Sequence, residues 1–236
     1  MRKRTEETTV SVNDSFTVSI SDLMAGIMSI FILTICYFIL NFSQVTSQLT
    51  QNDIKRAELL DAIHENLEYT GIKVTVDEEH GILRIPESAM FDIGQADVKP
   101  EGQIVISKLG GVLDNILNSD EFKGKVETVF IEGHTDNVPI VNLKFESNWD
   151  LSTKRAINTW LLMGETAPNL KQLRNNKKQP VFSCSGYADT RPVADNNTSA
   201  GRQENRRIDV RFSMASPTNE DINIVKFVRG KLEQNE

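Results

Sequence analysis

The sequence predicts an α+β protein in which a single N-terminal transmembrane helix is followed by a domain with a mixed β-sheet covered by helices. Two observations lead to this prediction. A long apolar run that contains a single charge occupies residues 15–42. Beyond it, segments with the two-residue period of strands alternate with segments that have the 3.6-residue period of helices, a pattern typical of a sheet covered by helices.

The apolar run over 15–42 is long enough to cross a membrane, and it contains one carboxylate, Asp22. No other charged residue lies between Asp14 and Asp53. Placing an Asp inside a membrane costs about 2.5–3.5 kcal/mol on insertion scales, so such a residue usually faces a protein interior or a water path. The sequence therefore predicts a retained transmembrane helix and makes Asp22 a candidate for ion transfer.

The charges that flank the span predict its orientation. Three basic residues precede the span at positions 2–4, whereas the next basic residues, Lys55 and Arg56, lie well beyond it. Because cytoplasmic flanks are enriched in Lys and Arg, we expect the N-terminal tail, 1–14, to lie in the cytoplasm. Everything after the span is then exported.

Composition excludes several classes of function. The 236 residues carry a formal net charge of -7, so no basic field covers the chain to attract nucleic acid. Cys36 lies in the span and Cys184 in the exported part, so we interpret Cys184 as a buried, inert thiol, with an intermolecular disulfide as the alternative. The sequence contains no arrangement typical of a hydrolase or a metal site, and we predict no enzyme activity, no cofactor and no metal.

The segment 43–71 has the pattern of an amphipathic helix that leaves the membrane and ends near Gly71. Its apolar residues are Val45, Leu49, Leu60, Ile63 and Leu67. The simpler interpretation is a spacer or a short coiled-coil stalk. The alternative is a plug that blocks an ion path until it moves.

The soluble domain is predicted over 72–215. Strands are predicted over 72–76, 81–86, 126–131, 181–187 and 207–214, and helices over 100–117 and 152–163. The first two strands are expected to form a hairpin, and Ser152 is the expected N-cap of the second helix. The remaining tail, 216–236, has a short apolar pattern that predicts a peripheral helix.

Three polar motifs stand out in this domain. They are EGHTDN at 132–137, after a strand; NWDLSTKRA at 148–156, opening a helix; and GRQENRR at 201–207, before the last strand. Together with the GYAD turn at 186–189, these motifs resemble those of the OmpA-like peptidoglycan-binding domain. The resemblance implies a fold of the βαβαββ type and binding to the peptide stem of the cell wall.

The resemblance places Asp136 and Arg155 at the positions that clasp diaminopimelate. The residues themselves fit this role, because Ser152 as N-cap puts Arg155 in the first helical turn, where free N–H groups and a guanidinium favour a ligand carboxylate. Asp136 can then take the ligand's ammonium group. The alternative is that Asp136 and Arg155 pair only with each other.

Other motif residues complete the predicted peptidoglycan-binding set. Asp150 and Leu151 belong to the second motif, and Asn205 and Arg206 match the Asn-Arg-Arg element of the family. A supporting role near the ligand is expected for Asn205 and Arg206.

Two further features are interpreted as structural. His134 has no second ligand at metal-binding spacing, so we interpret it as a structural loop histidine. Arg207, Asp209 and Arg211 alternate with apolar residues, which predicts that Arg207 and Arg211 are exposed cross-strand partners.

The order of the segments resembles that of the B subunits of ion-driven stators, the flagellar MotB type. A cytoplasmic tip, one span that begins SDLMA at 21–25 and a wall-binding domain follow each other. The resemblance implies that Asp22 carries the ion, and that a homodimer sits within a ring of multi-span A subunits. It also implies a single-pass protein of the bacterial inner membrane with its C-terminal domain in the periplasm.

The short N-terminal tail and the brief linker differ from the flagellar pattern. In these proportions the chain resembles more closely the B subunit of the Zorya anti-phage defence system, a stator-like complex. A flagellar-type motor stator and a passive tether between inner membrane and cell wall are the alternatives. Proton and sodium both remain open as the transported ion.

Overall fold

The computed structural model describes residues 4–69, 71–72, 74–140 and 142–216, with side chains described from residue 17 onward, except at 44–45 and 47–50. The chain divides into two compact units, Met1–Thr50 and Gln51–Glu236. The helix predicted in the C-terminal tail lies outside the described residues.

The first helix, α1, extends over Arg4–Tyr69. Within it, Thr17–Ser43 is long and apolar enough to cross a membrane, with a mean hydropathy of 2.5. The side chain of Asp22 is exposed on the surface of this segment. The hydroxyl groups of Ser29 and Thr34 each donate a hydrogen bond to the carbonyl oxygen four residues earlier, so the helix itself satisfies these polar groups.

The last part of α1 belongs to the second unit and supplies part of its core. Leu59, Leu60, Ile63 and Leu67 have no exposed surface and pack in the main hydrophobic cluster. The compact unit therefore starts at Gln51, before the predicted boundary at residue 72. These apolar residues of the amphipathic segment thus form part of the domain's core.

The elements that follow α1 are β1 (Thr75–Asp77), β2 (Ile82–Pro86), α2 (Glu87–Met90), α3 (Pro100–Leu117), β3 (Val126–His134), α4 (Asn148–Thr166), a 3-10 helix (Pro168–Gln172), β4 (Phe182–Gly186), α5 (Ser199–Asn205) and β5 (Arg207–Met214). The five strands form one sheet in the order β1-β2-β5-β3-β4. β3 and β4 are parallel, and the other neighbours are antiparallel. The succession β2-α3-β3-α4-β4-β5 is of the predicted βαβαββ type.

The side chains of β5 alternate between the two faces of the sheet. Its apolar residues, Ile208, Val210 and Phe212, are buried in the main core. Arg207 and Asp209 point to the opposite face, yet they are only 5% and 2% exposed. The expectation that Arg207 is exposed is therefore wrong, because charged side chains of the neighbouring strands, among them Arg84 and Glu132, surround it on this face.

The start of α4 also differs from the prediction. The N-cap is Ser147, whose side chain accepts a hydrogen bond from the backbone N–H of Asp150. Ser152 is fully buried within the helix, where its hydroxyl accepts from Ala188 N. A Cβ at Gly133 would overlap the carbonyl oxygen of Ser152, so glycine is needed where α4 packs directly onto the end of β3.

Candidate functional site

Four charged side chains meet at one end of the strands, where β2 and β3 end and β5 begins. Arg155 pairs with Glu87, and Arg206 Nε lies 2.8 Å from the other Glu87 oxygen, Oε2. Arg206 Nη1 lies 2.5 Å from Asp136 Oδ2. We call Arg155, Glu87, Arg206 and Asp136 the charged cluster. Its two cations and two anions balance.

Arg155 forms the inner end of the charged cluster. The residue is 1% exposed, and its Nε donates to the carbonyl oxygen of Gln95 at 2.8 Å. The guanidinium also lies 5.3 Å from the centre of the Phe91 ring. Burial lowers the pKa of Arg155, and the neighbouring Glu87 opposes this shift. The sequence predicted Arg155 in the first helical turn; instead it lies about two turns into α4 and is enclosed by protein.

Asp136 and Arg206 form the outer end. Asp136 follows β3, and its Oδ1 accepts a hydrogen bond from Val138 N at 3.0 Å. The side chain of Asp136 is 10% exposed and that of Arg206 is 27% exposed. Asp136 is thus linked to Arg155 through Arg206 and Glu87. The pair of opposite charges in direct contact is Asp136 and Arg206, whereas the sequence predicted Asp136 and Arg155.

Glu87 connects the two ends, and the sequence analysis did not identify it. Its carboxylate contacts both arginines, and its backbone N–H donates to the carbonyl oxygen of Arg206 at 3.0 Å. The residue is 5% exposed. Burial raises the pKa of the Glu87 carboxyl, although both guanidinium groups favour its charged form. A signal was present in the sequence, since Glu87 directly follows a predicted buried strand.

The other predicted site residues lie around the charged cluster. Asp150 is exposed, and its Oδ2 accepts hydrogen bonds from Glu146 N and Ser147 Oγ at the start of α4. Leu151 is buried in a small apolar cluster with Ala96 and Phe145. Both residues belong to the first turn of α4 and lie outside the charged cluster itself.

Asn205 holds the loop that precedes α5 next to the site. It is fully buried, and its Oδ1 accepts hydrogen bonds from the backbone N–H groups of Val193 and Ala194. Its Nδ2 donates to Ala194 O and Asn196 Oδ1. These bonds tie the loop before α5 to the residue that immediately precedes Arg206.

A second charged group lies on the face of the sheet opposite the main core. Arg207 Nε donates to both carboxylate oxygens of Asp209 at 3.0 Å, and His134 Nε2 lies 3.4 Å from Asp209 Oδ2. Burial, with the nearby Arg207 and Arg191, lowers the pKa of His134 to about 3. Burial raises the pKa of Asp209 to about 6. His134 is thus a neutral, buried residue at the end of β3.

Neither group forms a metal site. Within the part of the chain that the structure describes, no three His, Cys, Asp or Glu side chains are placed to hold a metal ion. Cys184 is half-buried, and burial raises its pKa to about 11, which disfavours the reactive thiolate.

Comparison with known proteins identifies the fold of this domain. Residues 90–206 match the model of the OmpA family. The domain is OmpA-like. Its structure is similar to the cell wall anchor of the T6SS from Pseudomonas aeruginosa, with 25% identity and a TM-score of 0.51, covering 68% of this chain and 99% of that chain. A putative MotB-like protein from Desulfovibrio vulgaris has 19% identity and a TM-score of 0.53, covering 72% of this chain and 98% of that chain. The predicted fold class is confirmed.

Two relatives extend the comparison in sequence. Motility protein B of Bacillus subtilis is 34% identical over 139 residues, which cover 59% of this chain and 47% of that protein. This chain therefore spans about half of that relative's length. Zorya protein ZorB of Escherichia coli is 23% identical over 207 residues, which cover 84% of this chain and 79% of that protein.

Proposed function

We propose that this protein is the B subunit of an ion-driven stator, held in the inner membrane by α1 and in peptidoglycan by its OmpA-like domain. One observation carries the proposal: a membrane-length apolar segment that contains Asp22 precedes an OmpA-like domain, in a chain that is 34% identical to motility protein B over 139 residues. The N-terminus is then cytoplasmic and the domain periplasmic. Function in this class is mechanical and electrostatic, without an enzymatic step.

The outer end of the charged cluster supports peptidoglycan binding. Diaminopimelate carries an ammonium group and a carboxylate on one carbon, so it needs one partner of each sign. Asp136 and the partly exposed Arg206 present that pair at the end of the sheet, and a ligand can replace their mutual contact with two charge-assisted contacts. We assign the ammonium group to Asp136 and the carboxylate to Arg206.

Asp22 supplies the proposed ion-carrying group. One elementary charge that crosses a membrane potential releases about 2.3 kcal/mol per 100 mV, similar to the cost of holding Asp in the membrane. Ion transfer to Asp22 can therefore switch contacts with a partner subunit. The assembly proposed is a homodimer, with two copies of Asp22, inside a ring of multi-span A subunits that moves against the anchored dimer.

The proportions of the chain favour a role in anti-phage defence of the Zorya type. The similarity to ZorB covers 84% of this chain, more than the compact unit Gln51–Glu236 contains, so it includes part of the N-terminal unit. It also covers 79% of ZorB, against 47% of motility protein B. A flagellar-type stator remains the second candidate because of the higher identity to motility protein B.

The test of motor function is Asp22→Asn in the full-length protein, expressed with its neighbouring genes. We expect phage plating to rise to the level of cells that lack the system, because Asn cannot carry an ion in the same way. Asp61→Asn makes the same chemical change at an exposed position of α1 outside the span and should keep protection.

Two results would decide between the alternatives. Full protection by the Asp22→Asn variant would contradict an ion-driven motor and favour a passive tether between membrane and cell wall. Loss of swimming after deletion of the gene, with unchanged phage plating, would identify a flagellar-type stator.

The test of wall binding is Arg206→Gln, measured by co-sedimentation of the full-length protein in detergent with purified peptidoglycan. We expect at least a roughly tenfold loss of affinity, the size of one charge-assisted contact. Arg174→Gln is the matched control. Arg174 lies before β4, at the opposite end of the strands, and donates to local carbonyl groups. Equal sedimentation of both variants would refute the assigned site.

A further inference from the structure

We propose that Glu87 determines the ligand specificity of the charged cluster. By neutralising Arg155, Glu87 makes the cluster accept a zwitterionic centre and reject a simple carboxylate. This inference rests on the proposed wall-binding function, and it assigns to Glu87 a role that none of the three sequence motifs contains.

The geometry gives Glu87 a central position out of reach of a ligand. One carboxylate oxygen contacts Arg155 and the other lies 2.8 Å from Arg206 Nε. The side chains of Glu87 and Arg155 are 6% and 2% exposed, whereas that of Arg206 is 27% exposed. Glu87 therefore acts through the two arginines and not by contact with the ligand.

The charge balance explains the proposed selectivity. Without Glu87, two guanidinium groups would face one carboxylate, and the excess positive charge would attract any anion. With Glu87 charged, Arg155 is compensated, and Arg206 and Asp136 remain as a balanced outer pair.

A ligand without an ammonium group is disfavoured by this balance. Such a ligand would compete with Asp136 for Arg206. Asp136 would then stay largely buried without its ion pair, which is unfavourable. A zwitterion avoids this penalty because its ammonium group replaces Arg206 as the partner of Asp136. Glu87 is thus a positioning residue whose charge sets the preference.

The experiment compares two probes, diaminopimelate and N,N′-diacetyl-diaminopimelate, by calorimetric titration of the full-length protein in detergent. Acetylation removes the ammonium groups and keeps the carboxylates. We expect the wild type to prefer diaminopimelate, and Glu87→Gln to reduce this preference at least about tenfold, because a charge within roughly 12 Å has that effect or more at an effective dielectric constant of about 20. An unchanged preference in a folded Glu87→Gln protein would overturn the role of Glu87.

A second variant separates charge from shape. Glu87→Gln combined with Arg155→Gln removes one charge of each sign and restores the balance, so the wild-type preference should return. A purely structural role of Glu87 predicts that the double variant is at least as impaired as the single one. If Glu87→Gln alone does not fold, the double variant carries the test, and loss of its preference overturns the proposal.

The result also distinguishes this inference from the proposed function. A wild type that prefers diaminopimelate, with a Glu87→Gln variant that keeps the same preference, contradicts only the role of Glu87. A wild type that binds neither probe nor peptidoglycan contradicts wall binding itself.

Discussion

Arg206 and Arg207 are neighbours in sequence, but the structure gives them opposite settings. The Arg206 side chain is 27% exposed and joins Glu87 to Asp136. Arg207 is 5% exposed, and its guanidinium donates to Asp209 and to the carbonyl oxygen of Asn205. Successive side chains at the start of a strand point to opposite faces. Arg206 therefore joins the charged cluster, whereas Arg207 lies on the face of the sheet.

This comparison shows which property of an arginine makes it available to a ligand. Both side chains are paired with carboxylates, so pairing alone does not distinguish a binding residue from a structural one. Exposure does, because the Arg206 side chain is 27% exposed and can contact the proposed ligand, whereas that of Arg207 is 5% exposed. Arg155, although part of the charged cluster, belongs with Arg207 by this criterion.

The largest effect is expected from Arg155→Ala. The change leaves Glu87 buried with only one of its two arginines and opens a cavity beside α4. We expect the free energy of unfolding to fall by about 5 kcal/mol, the upper part of the range for a broken buried ion pair. Urea denaturation of the full-length protein in detergent measures it.

Lys154→Ala is the control for this change, because Lys154 is the exposed neighbour of Arg155 on α4. Its effect should stay within about 0.5 kcal/mol. An equally small effect of Arg155→Ala would contradict the enclosed position of Arg155 and its ion pair with Glu87.

A smaller effect is expected from Arg207→Gln, which removes the main partner of Asp209. We expect a loss of about 3 kcal/mol, the lower part of the same range, because Asp209, with its pKa raised to about 6, can take up a proton more readily than an ordinary Asp. The same change at Arg206 should cost less, about 2 kcal/mol, between the values for exposed and buried pairs, since the Arg206 side chain is 27% exposed while its partners Glu87 and Asp136 are largely buried. Urea denaturation compares the two variants. Equal losses in the free energy of unfolding would contradict the different settings of the neighbouring arginines.

His134→Gln gives a pH-dependent effect of about 2 kcal/mol. The pKa of His134 is lowered to about 3 in the folded protein, whereas in the unfolded chain it is about 6.5. As pH falls from 6 to 4, only the unfolded chain gains this proton, so the wild type loses stability that the variant keeps. Asp209 has the opposite sign, because its raised pKa makes stability fall as pH rises from about 4 to 6.

Since both proteins contain the other titrating groups, the difference between their stability curves reports His134 together with its contact with Asp209. Urea denaturation at pH 4, 5 and 6 provides the curves. Parallel curves would show that the His134 ring is open to solvent and that the face around it is not sealed.

The sequence predicts the regular elements of this fold well where one strong local signal defines them. α3 has the predicted bounds, Pro100–Leu117, because a proline starts it and an uninterrupted helical pattern continues it. β5 also has its predicted bounds, Arg207–Met214, because polar and apolar residues alternate without a break. The predicted start of α4 is wrong because Ser147 is also a suitable cap, and the structure shows that Ser147 caps the helix while Ser152 lies inside it.

The site was predicted less completely than the fold because its contacts are long-range. Asp136 and Arg206 were named from their motifs, and the structure joins them directly. Glu87 lies far in sequence from both of its arginine partners, and no local pattern links them. The same limit explains Arg155, whose burial depends on carbonyl groups of the 92–95 turn.

The contribution of α1 to the core has a practical consequence for anyone who expresses this domain separately. The family match starts at residue 90, and a fragment cut there would lack β1, β2 and the apolar side chains of α1. The buried surfaces that contact Leu59, Ile63 and Leu67 would then face water, which favours aggregation. A recombinant fragment should therefore begin no later than Gln51, well upstream of the segment by which its relatives are recognised.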